Sequence, residues 1–209
     1  MSSIARLSII KVGGGLSAVT GALDAVGAAI AAAGRRHRIA VVPGGGPFAD
    51  AVRAFQHRQP LSADAAHWMA ILGMDQYAHV LAERIDGAVL VEEPETIGPV
   101  VGTGGVAVLA PFRWMRAADP LPHAWTATSD SVAAFVAGAL NAERLVLVKP
   151  AEAAAAPKMV DAHFASVLPA GLPWEVLGWE RIGELERILG RTEELSPRSA
   201  APPSAPPRS

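Results

Sequence analysis

The sequence predicts an α/β fold, a three-layer sandwich with a mostly parallel central sheet. Short apolar runs typical of buried strands alternate with longer helical patterns along the chain, as expected for a parallel sheet covered on both faces by helices. Glycine triplets follow the first two apolar runs. The 209 residues fit one domain of this kind. We expect it to span residues 1–195 and to be followed by a disordered tail, rich in Pro, Ser and Ala, at 196–209.

The first half of the chain is predicted to form two strands and three helices. An alanine-rich composition favours the first helix, which Gly34 ends. Pro47 fits the first turn of the second helix, and Ser62 is a cap for the third. The predicted strands are Ile9–Val12 and Ile39–Val42, and the predicted helices are Thr20–Ala33, Pro47–Gln56 and Ser62–Arg84.

Four further strands and two further helices are predicted in the second half. Between the first two of these strands, the Pro-, Gly- and Glu-containing segment Glu92–Gly105 is expected to be a loop or small hairpin, long enough to serve as a lid. A connection between Trp114 and Trp125 is expected to cross the open end of the sheet, and the alanine tract Ala151–Ala156 is expected to be mobile. The strands are Ala88–Val91, Val106–Ala110, Leu145–Val148 and Trp174–Leu177, and the helices are Val132–Leu140 and Glu180–Leu189.

Composition and charge exclude several classes of function. A net charge of −2 and a pI near 6.3 argue against nucleic acid or an anionic membrane as a partner. The absence of cysteine excludes disulfides and thiolate metal sites. Neither a signal peptide nor an apolar run of about 18 residues is evident. We therefore expect a cytoplasmic protein with no membrane contact.

The two glycine triplets are the first candidate site. Gly13, Gly14 and Gly15 follow the first predicted strand, and Gly44, Gly45 and Gly46 lie between the second strand and a helix. Glycines let backbone N–H groups approach an anion closely, and the positive end of the helix dipole faces the same point. The sequence therefore indicates two phosphate-binding loops, although a single loop of this kind is equally consistent with a tight turn that binds no ligand.

Charged residues complete the candidate site. Lys11 precedes the first triplet, and Lys149 closes a late strand. Both lysines are candidates to stabilise the negative charge of a phosphoryl group in transfer. Asp130, at a helix start, is placed to hold both lysines in one site, or else only caps its helix. Thr128 and Ser129 just before it are candidate phosphate or substrate ligands.

Three residues of the long predicted helix have simpler explanations. Asp75 is either a surface residue or a contact to substrate. His67 and His79 have no spacing typical of a metal site, so we interpret them as ordinary surface or core histidines. No metal ligand is predicted from the sequence.

Neither common nucleotide fingerprint fits these loops. The segment Lys-Val-Gly-Gly-Gly at 11–15 lacks the Gly-Lys-Ser/Thr ending of a P-loop, and neither triplet has the Gly-x-Gly-x-x-Gly spacing of a dinucleotide site. A nicotinamide-dependent oxidoreductase is therefore disfavoured. The chain instead resembles the amino-acid kinase superfamily, which includes acetylglutamate, aspartate and uridylate kinases. The resemblance runs from about Ile9 to Pro173 through Lys-Val-Gly-Gly-Gly at 11–15, Val-Pro-Gly-Gly-Gly-Pro at 42–47 and Thr-Ser-Asp-Ser-Val-Ala-Ala at 128–134.

The resemblance implies a phosphotransferase that uses ATP and Mg²⁺, acts on a small acceptor bearing a phosphate or carboxylate, and forms a homo-oligomer. It implies that the first lysine and glycines bind the transferred phosphate, that the second loop binds acceptor and phosphate, and that Asp130 organises the lysines. Within the superfamily, the chain looks most like the small kinases of methanofuran biosynthesis, which phosphorylate an aminomethyl-furan-methanol phosphate. This resemblance rests on the short length and on the segments Met74–Gln76, Trp125–Asp130 and Val160–Asp161.

One departure from the superfamily keeps a second hypothesis open. Where its members carry Thr-Asp-Val-Asp-Gly-Val or a close variant as part of the nucleotide site, this chain has Lys149-Pro150 followed by the alanine tract. The alternative is a non-catalytic member of the fold that binds a nucleotide or oxyanion and acts as a subunit of an assembly.

Overall fold

A parallel six-stranded sheet forms the centre of the computed structural model, which describes residues 7–151 and 160–191. The strand order is β3-β4-β2-β1-β5-β6, and every neighbouring pair is parallel. The prediction of a mostly parallel sheet is confirmed. The strands are β1 Leu7–Val12, β2 Arg38–Pro43, β3 Ala88–Val91, β4 Val106–Leu109, β5 Arg144–Lys149 and β6 Trp174–Gly178.

Eight α-helices and two short 3₁₀ helices accompany the sheet in the described part of the chain. The 3₁₀ helices are Gly14–Ala18, directly after β1, and Trp179–Glu184, directly after β6. The α-helices are α1 Ala22–Gly34, α2 Gly46–Arg58, α3 Ala63–Arg84, α4 Pro94–Gly102, α5 Phe112–Ala118, α6 Ser129–Ala139, α7 Phe164–Val167 and α8 Leu185–Leu189.

Each face of the sheet is buried under its own apolar layer, because side chains alternate between the faces along every strand. Ile10 and Val12 of β1 pack into the layer that contains α1 and α8. Ile9 packs into the opposite layer, with α4 and α6. The sandwich therefore has three layers, and Lys11 shares the alternation of Ile9, toward α6.

The strand order explains where a ligand can bind. From β1 the chain moves to β2 on one side, and later to β5 on the other side. Ligands of open parallel sheets bind beyond the carboxyl ends of the strands where the order reverses in this way. Lys11 is paired in register with Val42 of β2 and Leu147 of β5. The end of β1 is therefore the centre of this edge.

Two segments predicted as irregular contain helices. Within Glu92–Gly105, residues Pro94–Gly102 form α4, so the expected loop or lid is wrong for this stretch. Ile97 and Val101 are buried against the sheet, and Pro94 fits the first turn. Burial of this apolar face outweighs the low helix propensity of the Gly- and Pro-containing segment. Between Trp114 and Trp125 the connection likewise begins with α5, whose Met115 is buried.

The other predicted elements are present with shifted ends. The first helix begins at Ala22, because Gly21 has a left-handed backbone with φ 76°. The last predicted helix is divided into the 3₁₀ helix Trp179–Glu184 and α8. Residues 152–156 of the alanine tract and the whole tail at 196–209 lie outside the described residues. Across those described, each helix is too short or too polar to cross a membrane.

Candidate active site

The loops after β1 and β2 and the end of β5 are joined by backbone hydrogen bonds at the carboxyl edge of the sheet. Gly13 N donates to Val148 O at 2.8 Å, and Gly44 N donates to Val12 O at 2.8 Å. Both glycine triplets are therefore anchored to the ends of neighbouring strands. The sheet therefore holds both loops in fixed positions at this edge.

The two glycine loops touch each other, which explains why larger residues do not fit. A Cβ atom on Gly14 would lie 2.1 Å from Gly46 N, and one on Gly44 would lie 2.4 Å from Gly14 N. Gly46 has φ 54°, in the left-handed region that favours glycine. A Cβ atom on Gly45 would meet the Ala49 side chain at 2.3 Å. Contact between the loops is thus a structural reason for the triplets, alongside the binding role that the sequence predicts.

Lys11, Asp130 and Lys149 form a buried ion cluster beside these loops. Lys11 Nζ lies 2.8 Å from Asp130 Oδ1, and Lys149 Nζ lies 2.7 Å from Asp130 Oδ2. The exposed fractions of the three side chains are 4, 13 and 5 % for Lys11, Lys149 and Asp130. Both lysines therefore contact the same carboxylate, in the arrangement that the sequence analysis describes. A catalytic role for them stays a prediction.

The electrostatics of the cluster leave one positive charge in excess. Burial by itself raises the pKa of Asp130, but the charges of Lys11 and Lys149 outweigh it, and the pKa lies below its ordinary value. Burial and the charge of Lys11 lower the pKa of Lys149 to about 8, against the opposing effect of Asp130. Two ammonium groups and one carboxylate carry a net charge of +1, which suits a phosphoryl group.

The first turn of α6, which carries Asp130, is fixed by a residue far along the chain. Asp161 accepts hydrogen bonds from Thr128 N and Thr128 Oγ1, both at 2.8 Å, and from Ser131 N at 3.0 Å. Ser131 Oγ donates to the same carboxylate. Asp161 therefore replaces the missing side-chain cap of α6. It also ties the chain that follows β5 to α6, whose Asp130 contacts both lysines.

A cavity of about 250 Å³ lies between the glycine loops and helices α2 and α3. Gly14, Gly15, Gly45 and Gly46 line it, as do Thr128 and Ser129. The structure thus brings these predicted residues to one cavity. Lys11, Asp130 and Lys149 are not among its lining residues, although Ser129 precedes Asp130 in the chain. Gly13 and Gly44 lie behind it and hydrogen-bond the strand ends.

The outer wall of the cavity carries polar and aromatic side chains that the sequence analysis did not select. The Arg53 guanidinium lies 4.2 Å from the centre of the Trp125 ring, and its NH1 donates to Asp50 Oδ1 at 2.8 Å. Trp125 Nε1 donates to Gln56 Oε1 at 2.7 Å. All four residues line the cavity. They fix a cation about two helical turns along α2 from Gly46.

His67 also lines the cavity, together with His123. Their rings stack with centroids 4.1 Å apart. Burial, together with the neighbouring His123, lowers the pKa of His67 to about 4. His67 therefore packs in a cluster of aromatic and polar side chains, and its interpretation as an ordinary histidine stays a prediction. The 56 positions that separate the two histidines left no spacing signal in the sequence.

Asp75 does not line this cavity. Its Oδ1 accepts a hydrogen bond from Phe112 N at 2.9 Å, at the start of α5. Asp75 is half-buried, and burial raises its pKa to about 6. The described contacts place Asp75 against the start of α5. It is neither fully exposed, as a surface residue would be, nor on the wall of the cavity, as a substrate contact there would be.

Replacing Asp75 by Asn tests this placement. Because the folded-state pKa is raised from 3.8 to about 6, stability is lost as pH rises through that interval. Asn keeps the acceptor and removes the charge, so we expect a small increase in Tm above pH 6, within the ~2–4 °C that corresponds to 1 kcal/mol. Below pH 4 the difference should vanish, and turnover should be unchanged. A loss of turnover at unchanged Tm would instead make Asp75 a substrate contact.

Tyr77 is a further residue that sequence reasoning missed. Its hydroxyl donates to Gly13 O at 3.4 Å, and its ring packs under Gly46, where a Cβ atom would lie 3.3 Å from Tyr77 Cδ2. It supports both glycine loops from α3. The available sequence signal was the position of Tyr77 three residues after Met74 and four after Gly73. This spacing places the three residues on one face of a helix.

The chain matches a family model and a curated protein. The model of the amino acid kinase family matches residues 6–152. Over 110 residues the chain is 27 % identical to the [5-(aminomethyl)furan-3-yl]methyl phosphate kinase of Methanocaldococcus jannaschii, a match that covers 53 % of this chain and 50 % of that protein. The chain therefore spans about half the length of this relative.

Solved structures of low sequence identity share the fold. The UMP kinase of Bacillus anthracis superposes with a TM-score of 0.60 at 13 % identity, over 88 % of this chain and 91 % of the other. The uridylate kinase of Archaeoglobus fulgidus gives a TM-score of 0.54 at 16 % identity, over 70 % of this chain and 64 % of the other. At these identities the likeness concerns the arrangement of the strands and helices.

Proposed function

The chain belongs to the amino acid kinase family, and from this premise we propose that it transfers the γ-phosphoryl group of ATP to a small acceptor bearing a phosphate or carboxylate. The observation that carries the proposal is the buried cluster of Lys11, Asp130 and Lys149 at the edge where both glycine loops meet. Phosphoryl transfer needs fixed cations and N–H donors around the moving group, and little covalent chemistry from the protein.

In this proposal each member of the cluster has its own task. Lys11 and Lys149 neutralise charge on the phosphoryl oxygens, and Asp130 holds the two ammonium groups 2.8 and 2.7 Å from its oxygens. The loops at Gly13–Gly15 and Gly44–Gly46 offer backbone N–H groups. Because the sheet and Asp161 fix these groups before substrate binds, little reorganisation is needed during transfer.

The cavity beside the cluster is the proposed acceptor site. Arg53 supplies a cation for the phosphate or carboxylate of the acceptor, and the buried Met74 and Ile71 form an apolar floor. The name of the Methanocaldococcus relative suggests a phosphate-bearing aminomethylfuran as the first compound to test. This acceptor would give the protein a role in the synthesis of a methanofuran-type cofactor.

ATP and Mg²⁺ are part of the proposal. Asp130 already binds two ammonium groups, which makes it a poor ligand for a dication. Mg²⁺ commonly keeps water and substrate phosphates as ligands, so we assign it to the phosphates of ATP. When bound, the ion would neutralise charge on those phosphates.

Acceptor-dependent formation of ADP tests the function directly. The protein is incubated with Mg-ATP and, in turn, with [5-(aminomethyl)furan-3-yl]methyl phosphate, UMP and aspartate, and the phosphorylated product is followed by ³¹P NMR. We expect a new phosphoryl product with an acceptor of the first type. ATP binding by calorimetry without turnover on any acceptor would favour a non-catalytic binding protein instead.

The pH dependence of turnover reports on Lys149. With a pKa of about 8, Lys149 loses its charge as pH rises through that value, so kcat/KM should fall above about pH 8. That parameter reports the free enzyme. Bound phosphates favour the charged lysine, so the fall in kcat should lie at higher pH. Lys149→Arg, which stays cationic, should remove the fall in kcat/KM. If kcat/KM falls above pH 8 in the variant as it does in the wild type, the fall reports on another group.

We also propose a homo-oligomer. Phe55 of α2 and Met69 and Leu72 of α3 are large apolar residues with exposed fractions between 37 and 43 %. Burial of such residues is typical of contacts between subunits. Light scattering coupled to gel filtration measures the mass, and a monomer at micromolar concentration would contradict the proposal.

A further inference from the structure

A second polar cluster lies on the cavity wall, apart from the lysines. His67 of α3 meets Asp119 and His123, which lie in the segment after α5. One potential ligand atom from each of the three residues lies within 4.8 Å of the other two. His67 and His123 line the cavity, and Asp119 is exposed. The three residues therefore offer two imidazoles and a carboxylate at one point that a small ion can reach.

The distances are close to those of a metal site. His123 Nε2 lies 2.9 Å from Asp119 Oδ1, and ligand atoms around a tetrahedral zinc ion with bonds near 2.0–2.1 Å are about 3.3 Å apart. An ion between these two atoms would replace the hydrogen bond that joins them here. The His67 ring lies against that of His123, with centroids 4.1 Å apart. One ligand atom of His67 lies within 4.8 Å of those of the other two residues.

The surroundings of His123 hold the ring in a defined orientation. His123 Nδ1 lies 2.7 Å from Asp64 Oδ1, and the same oxygen accepts a hydrogen bond from Trp68 Nε1 at 3.2 Å. The Trp68 ring packs edge-on against both imidazoles, with centroids 4.7 and 4.9 Å away. A carboxylate on the far nitrogen of a histidine is the usual partner of a metal-binding imidazole, since it fixes the ring and raises its basicity.

We propose that His67, Asp119 and His123 bind a divalent transition-metal ion of the zinc class. Imidazole suits zinc, copper, nickel and iron, whereas Mg²⁺ prefers oxygen ligands. Three protein ligands would leave a fourth position for water or a substrate oxygen, and two of these ligands, His67 and His123, line the cavity. The ion is therefore distinct from the Mg²⁺ that accompanies ATP, and its binding does not depend on the proposed kinase activity.

Titration of the whole chain with metal alone tests the site. The protein, free of any histidine tag and treated with EDTA, is titrated with CoCl₂ and followed by visible absorption, and with ZnCl₂ in a calorimeter. We expect one ion per chain and the intense visible bands of a tetrahedral or five-coordinate cobalt ion. A hundredfold excess of Mg²⁺ should not displace it.

Matched variants locate the ion. His67→Asn, His123→Asn and Asp119→Asn should each abolish the cobalt bands, and Asp64→Asn should weaken affinity by about 10- to 100-fold, as loss of a carboxylate behind a metal ligand does. His79→Asn, an exposed histidine on the same helix, should bind as wild type. Asp119 is exposed, so its variant should fold normally and decides the case if a histidine variant does not.

Two results would overturn the proposal. The wild-type chain could give no cobalt bands and no heat of zinc binding at micromolar concentration. The cluster would then serve only to join the segment after α5 to α3. If the bands persist in both His67→Asn and Asp119→Asn, the ion is bound elsewhere. Because no nucleotide or acceptor is present, either result leaves the proposed phosphoryl transfer untouched.

Discussion

Replacing Lys11 by Met should lower kcat by about 10²- to 10³-fold, the loss that follows removal of one preorganised charge-stabilising donor. The Lys11 side chain is 4 % exposed, and its ammonium lies 2.8 Å from Asp130 Oδ1. Met keeps the length and the apolar stem of the side chain, so β1 can pack as before. The substitution therefore removes the charge with little change of volume, in contrast to Ala.

The kinetic constants separate a role in transfer from one in binding. If Lys11 acts mainly on the moving phosphoryl group, kcat should fall by about as much as kcat/KM. Arg36→Met is the matched control, because Arg36 is an exposed cation that pairs with Glu186 near the start of β2, at the other edge of the sheet. Its turnover should equal that of wild type. Full turnover in Lys11→Met would remove Lys11 from the reaction.

The sheet and both glycine loops could be predicted because their signals are local. Apolar runs such as Ile39–Val42 are typical of the buried strands of a parallel sheet, so each run predicts its own strand without reference to the rest of the chain. A glycine triplet after a strand restricts the backbone whatever lies elsewhere. Helices α4 and α5 could not be predicted in this way. Their sequences contain Pro99 or are short, and burial of residues such as Ile97 and Met115 against the sheet stabilises them.

The candidate site was predicted in part for the same reason. Lys11 and Lys149 stand next to strand ends, which a sequence pattern can locate. Asp130 was proposed as their common partner from its place at a helix start and from the family resemblance. Asp161 was not recognised as the cap of α6, because it lies 33 positions after Thr128. The cluster of His67 and His123 depends equally on a long-range contact. A single sequence contains no local trace of such pairs.

Replacing Asp130 by Asn should have the second large effect, and it distinguishes an enzyme from a binding protein. Asn has the same size but no charge, so the two buried ammonium groups lose the carboxylate that separates them. Removing one partner of a buried ion pair costs about 3–5 kcal/mol. The Asn carbonyl can still accept from one lysine, so we expect a cost near the lower end of this range.

The double variant Asp130→Asn with Lys149→Met separates stability from activity. Loss of one lysine removes the repulsion between the two ammonium groups, so much of the Tm should return, whereas turnover should stay low because one of the two proposed catalytic cations is missing. Asp24→Asn is the matched control. Asp24 also lies in the first turn of a helix, α1, but it is exposed and pairs with Arg84. Its loss should cost at most about 1 kcal/mol and no turnover.

The outcome for ATP decides between the two hypotheses. In a kinase, Asp130→Asn should lower kcat by about 10²-fold or more while ATP binds nearly as before, because misplaced cations impair an in-line transfer more than they impair binding. In a non-catalytic anion-binding protein, loss of a negative charge beside the site should leave ATP affinity unchanged or increase it, and there is no turnover to lose. Calorimetry with Mg-ATP and the acceptor-dependent assay measure both quantities on the same sample. Wild-type turnover in a folded Asp130→Asn protein would show that the lysines do not need this carboxylate for catalysis.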